Sequence, residues 1–473
     1  MKAKQSDYLR SVKPKLNQLL ALLQPRYEYV SVLATDVNGR AFSVSQRQTA
    51  IRDYQFGERG FVVRVYIDGG YSEYSFNDID DVPALAAEIA DTLALQKAAL
   101  DGAGIVKLPT PLVKEHPDRG EFATEVPDTM YDIDAGQVIA KLKEVSDRGV
   151  AKDGIIECQA TYTVSFVNKM FLSADKDLLQ AYAYGTGAMV MLAAKDGETR
   201  YNYCPLSGWF GPEMIDRFGE AIDRTYDDLM VLFGAPNIIP GEYDVICPPE
   251  ASGLIAHEAF GHGVEMDMFV KDRAIAKDHM GEKVASDITV MYDGPQGQQQ
   301  TASYFFDDEG TMGGKTMIID HGTLAKGMCD ALSAARLGVE PTGNGRRETF
   351  ERKAYTRMSN TYFQPCGDSL DAMIKSIKHG YIIDGAQSGM EDPKHWGIQC
   401  VYSRAKEIVD GRLTGRVFTP VFMTGYVPDM LKSISMIGPD IDLSGNGYCG
   451  KGYKEWVVVS TGGPYMKAKA RLG

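Results

Sequence analysis

Apolar and polar positions along the first hundred residues predict an antiparallel sheet with helices. The run "LNQLLALLQP" has helical spacing. Two β-branched and aromatic runs then flank the "NGR" of residues 38 to 40, which predicts a hairpin turn, and residues 68 to 70 predict a second one. A helix is predicted in "DVPALAAEIADTLALQKAAL", with Asp81 as its cap and Pro83 in its first turn.

The pattern after residue 100 predicts a second unit of sheet and helices. Residues 101–133 are rich in Pro, Asp and Glu without periodicity, which indicates a connector. A helix is predicted over 134–149, followed by the strand-like runs "ECQATYTVSFVNKMFLSA" and "LLQAYAYGTGAMVMLAAKDGETRYNY". Another amphipathic helix is predicted over roughly 211–233.

The length of 473 residues favours two or three domains, and glycines become dense beyond about residue 237. We therefore predict an α+β fold with an N-terminal α+β domain over residues 1–237, built from sub-units of about 1–100 and 125–237. A Gly-rich, mainly β domain over 238–473 follows. It contains the strongest chemical signals, so we expect the catalytic site there.

Composition narrows the class of protein. The net charge of −14 opposes the approach of a phosphate backbone, so nucleic acid is not an expected partner. The basic run of residues 345–357 interleaves two glutamates, and we interpret it as a solvated face. Seven cysteines without CxxC pairs are untypical of a secreted disulfide scaffold. The opening apolar run is crowded by lysines and lacks a cleavage site, so we expect a cytoplasmic protein without a membrane partner.

The stretch "HEAFGHG" suggests a metal site with unusual spacing. His257 and Glu258 begin like a zinc-peptidase signature, but His262 comes one residue late. On a regular helix, residues five apart differ by about 140° in direction, so both rings cannot face one ion. A π-bulge, or a helix that loosens before His262, would correct this, and Gly261 and Gly263 make either distortion easier. A chance pair of histidines on a packed helix is the alternative.

A catalytic zinc site needs a third protein ligand. Glu265, three residues after His262, is one candidate. Cys449 is another, because it lies in the glycine-rich "SGNGYCGKGYKEW", where a buried packing position is not expected. Lys451 beside it would favour the thiolate. Mixed nitrogen and sulfur donors would favour Zn²⁺ over other metals.

Four motifs in order resemble those of the TldD/PmbA peptidases, a family also described as modulators of DNA gyrase. They are "HEAFGHGVEMD", "TGNGRRETFERKAYTRMSNTYF", "SMIGPDIDL" and "GNGYCGKG". The resemblance implies that His257, His262 and Cys449 bind Zn²⁺ and that Glu258 is the general base, activating a water at the metal. The companion subunit of the family lacks these residues, so this chain resembles the catalytic type.

The resemblance also implies a dimer and a peptide substrate. Members of the family form homodimers, or heterodimers with a TldE/PmbA-like companion, and their narrow enclosed cleft admits unfolded peptide. The stretch "GAQSGMEDPKHWGIQC" of residues 385–400 departs from the glycine-rich loop of many relatives. The shape of the cleft is therefore not implied.

Peptide recognition is expected to use main-chain pairing to a sheet edge. The run "RMSNTYF", with Asn360 and Thr361, is the candidate edge, and a core strand is the alternative. Arg346, with Arg347 beside it, is a candidate for binding a substrate carboxylate. The alternative for both arginines is an ion pair with the neighbouring glutamates at 348 and 351.

The oxyanion of the reaction would need a neutral donor, and Tyr426, Tyr448 and loop amides are candidates. These features predict a zinc-dependent metallopeptidase acting on unfolded peptides. A non-catalytic binding or maturation subunit is the alternative, against which the retained Glu258 argues. An amidase with similar ligands and a nucleic-acid-linked regulator are two further hypotheses.

Overall fold

A computed structural model describes residues 1–104, 108–452 and 454–473. It confirms the α+β prediction. The helices in chain order are α1 Asp7–Leu23, α2 Val82–Gly102, α3 Ala135–Val150, α4 Asp216–Met230, α5 Pro249–Leu254, α6 Asp267–Val270, α7 Ala331–Leu337, α8 Leu370–Lys375 and α9 Val427–Lys432.

The first eight strands form one sheet. They are β1 Val30–Val44, β2 Thr49–Asp53, β3 Glu58–Ile67, β4 Gly70–Phe76, β5 Asp118–Ala123, β6 Ile155–Ser173, β7 Lys176–Lys195 and β8 Glu198–Gly208. Their order is β4-β3-β1-β6-β7-β5, with β2 paired to β1 and β8 to β7. The long antiparallel β1–β6 ladder joins the two predicted sub-units in a single sheet.

Helices cover this sheet as two pairs. Buried leucines of α1 and apolar side chains of α2 pack together on β1 and β3, while α3 and α4 pack on β6 and β7. Asp81 caps α2 by accepting a hydrogen bond from the Ala84 amide, as the sequence predicts. The predicted connector contributes β5, which pairs with β7 in parallel, and residues 105–107 of it lie outside the described residues.

The predicted turn at residues 38 to 40 is wrong. Strand β1 runs straight through it, and Gly39 has another use: a Cβ there would lie 2.1 Å from the Val164 carbonyl oxygen of β6. The glycine therefore allows two strands to approach closely. The hairpin at residues 68 to 70 is confirmed, with positive φ angles at Asp68 and Gly69.

The C-terminal half contains the remaining strands, which are β9 Gly241–Cys247, β10 Met291–Asp293, β11 Thr316–Asp320, β12 Thr323–Leu324, β13 Gly345–Arg346, β14 Tyr355–Thr356, β15 Asn360–Phe363, β16 His379–Asp392, β17 Gly397–Val409, β18 Arg412–Phe418, β19 Val421–Tyr426, β20 Met436–Ile437, β21 Asp442–Lys451, β22 Lys454–Gly463 and β23 Met466–Leu472. The division into domains at residue 237 stays a prediction.

These strands form two main sheets. One has the order β12-β11-β10-β15-β22-β21. In the other, β16, β9, β23, β19 and β17 pair in a ring, because β16 pairs with both β9 and β17. A shared apolar core, which includes residues of α5, fills the space between the two sheets.

Helix α5 lies close against β22, which is the partner of β21. A Cβ on Gly253 would lie 2.4 Å from the amide nitrogen of Gly462, so only glycine fits at this crossing. The close approach carries the "HEAFGHG" segment, directly after α5, toward the strand that contains Cys449. None of the described helices combines the length and apolar character that crossing a bilayer requires.

Candidate metal centre

The histidine segment is a π-helix. It spans Ile255–Gly261, directly after α5, and the His262 amide donates to the His257 carbonyl oxygen five residues back. This hydrogen bond accommodates one extra residue per turn, so residues five apart come to lie on one face. The π-bulge is therefore the correct one of the two predicted distortions.

The two glycines beside His262 are needed because there is no space for a side chain, and not because the backbone has unusual dihedral angles. Gly261 has ordinary helical angles. A Cβ on Gly261 would lie 2.2 Å from the Met358 sulfur, and one on Gly263 would lie 2.5 Å from Oε1 of Glu391. The helix is thus held tightly between two neighbouring side chains.

His257, His262 and Cys449 come together as a three-donor group. Their ligand atoms all lie within 4.8 Å of one another. The rings of His257 and His262 are nearly perpendicular, and Cys449 Sγ lies 3.3 Å from His262 Nε2. Cys449 belongs to β21, so the C-terminal thiol completes a group that begins 192 residues earlier in the chain, at His257.

Glu265, the alternative third ligand, orients His262 instead. Its Oε2 lies 3.3 Å from His262 Nδ1, the nitrogen that faces away from Cys449. Lys451 donates to Glu265 at 3.1 Å and to Asp267 at 2.6 Å. Such a carboxylate fixes the tautomer and the direction of an imidazole ligand. Lys451 therefore supports the carboxylates, whereas the sequence suggested that it stabilises the thiolate.

Arg357, rather than Lys451, is the cation in contact with the thiol of Cys449. Its side chain is fully buried, and Nη2 donates at 2.9 Å to Cys449 Sγ and at 2.8 Å to the Cys449 carbonyl. Its Nε lies 3.4 Å from Glu265 Oε1. The prediction that residues 345–357 form a solvated face is wrong, since this arginine lies in the interior.

The charges of the group favour a thiolate. Burial opposes ionisation of Cys449, but His257 and His262 outweigh it and hold the pKa of the thiol well below its ordinary value. Burial also opposes ionisation of Glu265, where Lys451 and His262 prevail and lower the pKa of the carboxyl. A thiolate and two imidazoles form a donor set typical of zinc.

Glu258 lies at the edge of this group. Its Oε2 is 4.0 Å from His262 Nε2, and its side chain is 17% exposed, so solvent reaches it. Burial raises the pKa of the carboxyl, and the two histidines partly offset this. Gly389 of β16 packs on it, since a Cβ there would lie 2.4 Å from Glu258 Cγ. The aliphatic part of the Glu258 side chain is thus packed against β16.

Comparison with known proteins identifies the family. Residues 240–470 match the PmbA/TldA metallopeptidase C-terminal domain. A metalloprotease TldD homolog of Buchnera aphidicola is 34% identical over 330 residues, which cover 66% of this chain and 67% of that protein. The chain belongs to the PmbA/TldD family of metallopeptidases. A zinc metalloprotease TldD homolog of Saccharolobus solfataricus is 32% identical over 236 residues, covering 48% of this chain and 51% of that protein.

The fold is also that of a solved structure, TldE from Thermococcus kodakarensis. The superposition has a TM-score of 0.75 at 16% identity and covers 97% of this chain and 100% of that one. At this identity the likeness concerns the fold alone.

Residues 385–400 of this PmbA/TldD chain, which we expected to be atypical of the family, lie against the metal centre. It is the far end of the β16–β17 hairpin. Trp396 is buried against Phe260 of the π-helix and His279. Met390 is 70% exposed. Of the bulky residues in the stretch, Trp396 therefore anchors the hairpin on the π-helix, and Met390 extends into solvent.

The predicted peptide-binding edge is wrong. Strand β15 lies between β10 and β22, so both of its edges are paired. Asn360 and Thr361 are fully buried, and Thr361 donates to Asp293 at 2.7 Å. Asn360 donates to Ser303 and to carbonyls of residues 294–298. The alternative, a core strand, is what the structure shows.

The two arginines of the "GRR" run have different surroundings. Arg346 donates at 2.6 Å to the Met358 carbonyl, stacks over Tyr304, and lines a cavity of about 90 Å³ behind β21. Arg347 pairs with Glu73 of β4 rather than with Glu348 or Glu351. Substrate binding by Arg346 stays a prediction.

The candidate oxyanion donors differ in position. Tyr448 precedes Cys449 on β21, so the two side chains point to opposite faces, and its hydroxyl is 3.0 Å from that of Tyr54. This places it away from the thiol. Tyr426 is 43% exposed and packs edge-on against Trp396, and its role as an oxyanion donor stays a prediction.

Three functional neighbours escaped sequence reasoning, which are Arg357, Gly389 and Glu391. Arg357 lies within a run that reads as charged surface, and the other two lie in the stretch that we expected to depart from the family pattern. No local pattern indicated Arg357, because it lies between β14, which ends at Thr356, and β15, which begins at Asn360.

Proposed function

We propose that this chain is a zinc-dependent peptidase that hydrolyses unfolded peptides, with Glu258 as the general base. One observation carries the proposal: two imidazoles and a thiol converge within 4.8 Å, directly beside a partly exposed glutamate. A binding subunit without turnover would not need a base in this position.

The residues fit a zinc ion. The Nδ1 atom of His257 is buried and has no hydrogen-bond partner among the described residues, as expected of a nitrogen that supplies its lone pair to a metal. The other two donors are oriented from outside, His262 by Glu265 and Cys449 by Arg357. His257, His262 and Cys449 would hold the ion and leave one position for water or substrate.

When bound, zinc would polarise the scissile carbonyl and lower the pKa of a water toward about 7. Glu258 would accept the proton of the attacking water and deliver it to the leaving amine. Its raised pKa suits the first of these steps, because a carboxyl with a pKa closer to neutral is a stronger base toward the attacking water. Gly389 would keep the carboxyl directed at the reacting atoms.

The open strand edge near the centre belongs to β16 rather than β15. Residues 380–382 of β16 pair with β9, but among the described strands residues 386–392 pair with β17 alone. This unpaired edge passes beside Glu258, because it includes Gly389, which packs on Glu258. An extended peptide could pair there through its main chain. Such pairing requires an unfolded substrate and depends little on the side chains of that substrate.

A dimer completes the proposal. The chain would act as a homodimer or as a heterodimer with a TldE/PmbA-like companion, and the match to the fold of TldE supports a companion of the same architecture. The cytoplasmic location stays a prediction.

The proposal is tested by incubating the purified protein with an unstructured peptide and with a folded domain of the same composition. We expect cleavage of the peptide alone, loss of cleavage after chelation, and recovery with added zinc. Chelator-resistant cleavage would contradict the metal mechanism. Cleavage of small amides without cleavage of peptides would instead favour the amidase hypothesis.

A further inference from the structure

Glu391 is a carboxyl at the metal centre that has no hydrogen-bond partner among the described residues. Both of its oxygens are shielded from solvent. Oε1 occupies the space that Gly263 leaves beside His262, 2.5 Å from where a Cβ would be. The Gly263 amide faces the carboxyl, outside hydrogen-bond geometry. Buried polar groups are nearly always paired, so such an exception indicates a missing ligand.

Two of the other carboxylates nearby already have cations. Glu265 is paired with Lys451 and Arg357, and Asp267 is paired with Lys451. Glu258 faces the imidazole of His262. Within the described ranges, Glu391 has no such ion pair. A cation supplied from outside the chain would complete this position, since an ionised carboxyl is stable in a buried site only when it is paired.

Glu391 lies on the same face of β16 as Gly389, the residue that packs on the general base. Residues two apart on a strand point to the same face, so Gly389 and Glu391 of β16 both face the π-helix. Gly389 packs against Glu258, and Glu391 packs against Gly263. The two positions are about 7 Å apart along the strand, which is the reach of one or two peptide residues. For a scissile bond beside Glu258, a cation held by Glu391 would be displaced along the strand by about this spacing.

We propose that Glu391 binds the α-ammonium group of the peptide substrate, so that the protein removes one or two residues from a free amino terminus. The inference rests on the proposed peptidase function. A carboxylate and an ammonium form a short, charge-assisted hydrogen bond. Hydrolysis adds the hydroxyl of water to the carbonyl carbon of the released fragment and a proton to the amine of the shortened peptide.

The substrate test uses unstructured peptides of one sequence, with a free amino terminus, with an acetylated one, and with every lysine replaced by glutamine. For the zinc-loaded protein we expect acetylation to lower kcat/KM about 10- to 100-fold. Removing the lysines should leave it unchanged, which distinguishes the α-amino group from a side-chain amine. Equal kcat/KM for free and acetylated peptides, or a requirement for lysine, would overturn the inference.

The residue test uses Glu391→Gln, which keeps the shape and removes the charge, with the exposed Glu220→Gln as the matched control. We expect Glu391→Gln to lose the preference for free amino termini, so that kcat/KM becomes equal for the free and the acetylated peptide, and to keep its zinc. Loss of zinc would make Glu391 a metal ligand and overturn the inference. A retained preference would overturn it as well.

A binding measurement separates this inference from the proposed function. Calorimetric titration of Glu258→Gln protein with the same peptides needs no turnover, and acetylation should raise Kd about 10- to 100-fold. If the wild type cleaves no peptide but this difference persists, the proposed function fails, and of the inference only the binding of the α-ammonium group stands. If peptides are cleaved and acetylation changes neither Kd nor kcat/KM, the inference alone fails.

Discussion

Arg357 donates a hydrogen bond of 2.9 Å to the sulfur of Cys449. The same guanidinium lies 3.4 Å from Glu265, which in turn orients His262. One buried arginine therefore connects a thiol donor and an imidazole donor of the same site. A donor at sulfur withdraws electron density from the thiolate, which would leave a bound ion more electrophilic.

Replacing Arg357 by lysine should weaken metal binding by about 10- to 100-fold. Lysine keeps the charge, but it lacks the planar fork that reaches sulfur, carbonyl and carboxylate together. A competition titration with a chromophoric chelator measures the affinity, and the thiolate-to-metal band of the cobalt-substituted protein reports on the sulfur. Arg352→Lys, exposed in the same segment, is the control. An unshifted band and an unchanged affinity would contradict the role of Arg357.

Glu258→Gln should lower kcat/KM by about 10²- to 10⁴-fold, because an amide cannot accept the proton of the attacking water. The zinc content should stay at the wild-type level, since Glu258 is not among the three donors. Peptide-cleavage kinetics and mass spectrometry of the metal check both statements. Full activity in this variant would remove Glu258 from the mechanism.

Gly389→Ala should lower kcat about 100-fold while zinc is retained. The new methyl group would lie 2.4 Å from Glu258 Cγ, and a displacement of about 1 Å at a catalytic group has an effect of this size. Gly397→Ala is the matched control in the same hairpin, because the nearest atom to its Cβ is 4.0 Å away. Equal losses in both variants would indicate damage to the hairpin rather than to the base.

Glu73→Gln should destabilise the protein by about 3 kcal/mol at pH 7. Burial opposes ionisation of Glu73, but Arg64 and Arg347 outweigh it and lower the pKa of the carboxyl to about 2. The folded-state pKa is lower than the unfolded one, so this contribution is full above about pH 4.5 and is lost as the pH falls toward 2.

Thermal unfolding at several pH values checks this. The difference in Tm between wild type and Glu73→Gln should shrink below about pH 4.5. The exposed Glu28→Gln serves as control and should show no such pH dependence. A Tm difference that stays constant down to pH 3 would mean that charge at Glu73 does not contribute.

The sequence predicted the parts of the fold that local patterns determine. The cap at Asp81 and the turn at Asp68 and Gly69 follow from short-range chemistry, and the structure confirms them. The "NGR" run looks locally like a turn, yet Gly39 is there because β6 passes close by. Local propensity yields to tertiary contact at that position.

At the site, spacing alone indicated that the helix must distort, because His257 and His262 could not otherwise share a face. Contacts across the chain were beyond such reasoning. Arg357 is buried by β21 and β22, and Glu391 reaches the centre only because β16 folds back over the π-helix. The residues that Arg357 and Glu391 contact at the centre are far away in sequence, so no periodicity could indicate these contacts.

The most direct test of the account is the metal content of the purified protein, measured by mass spectrometry for wild type, His262→Ala and Cys449→Ala. The account predicts about one zinc per chain in the wild type and its loss in both variants, because the oddly spaced histidine and the distant thiol share one ion. Wild-type protein that is prepared without chelator and binds no stoichiometric metal, even after zinc is added, would contradict it.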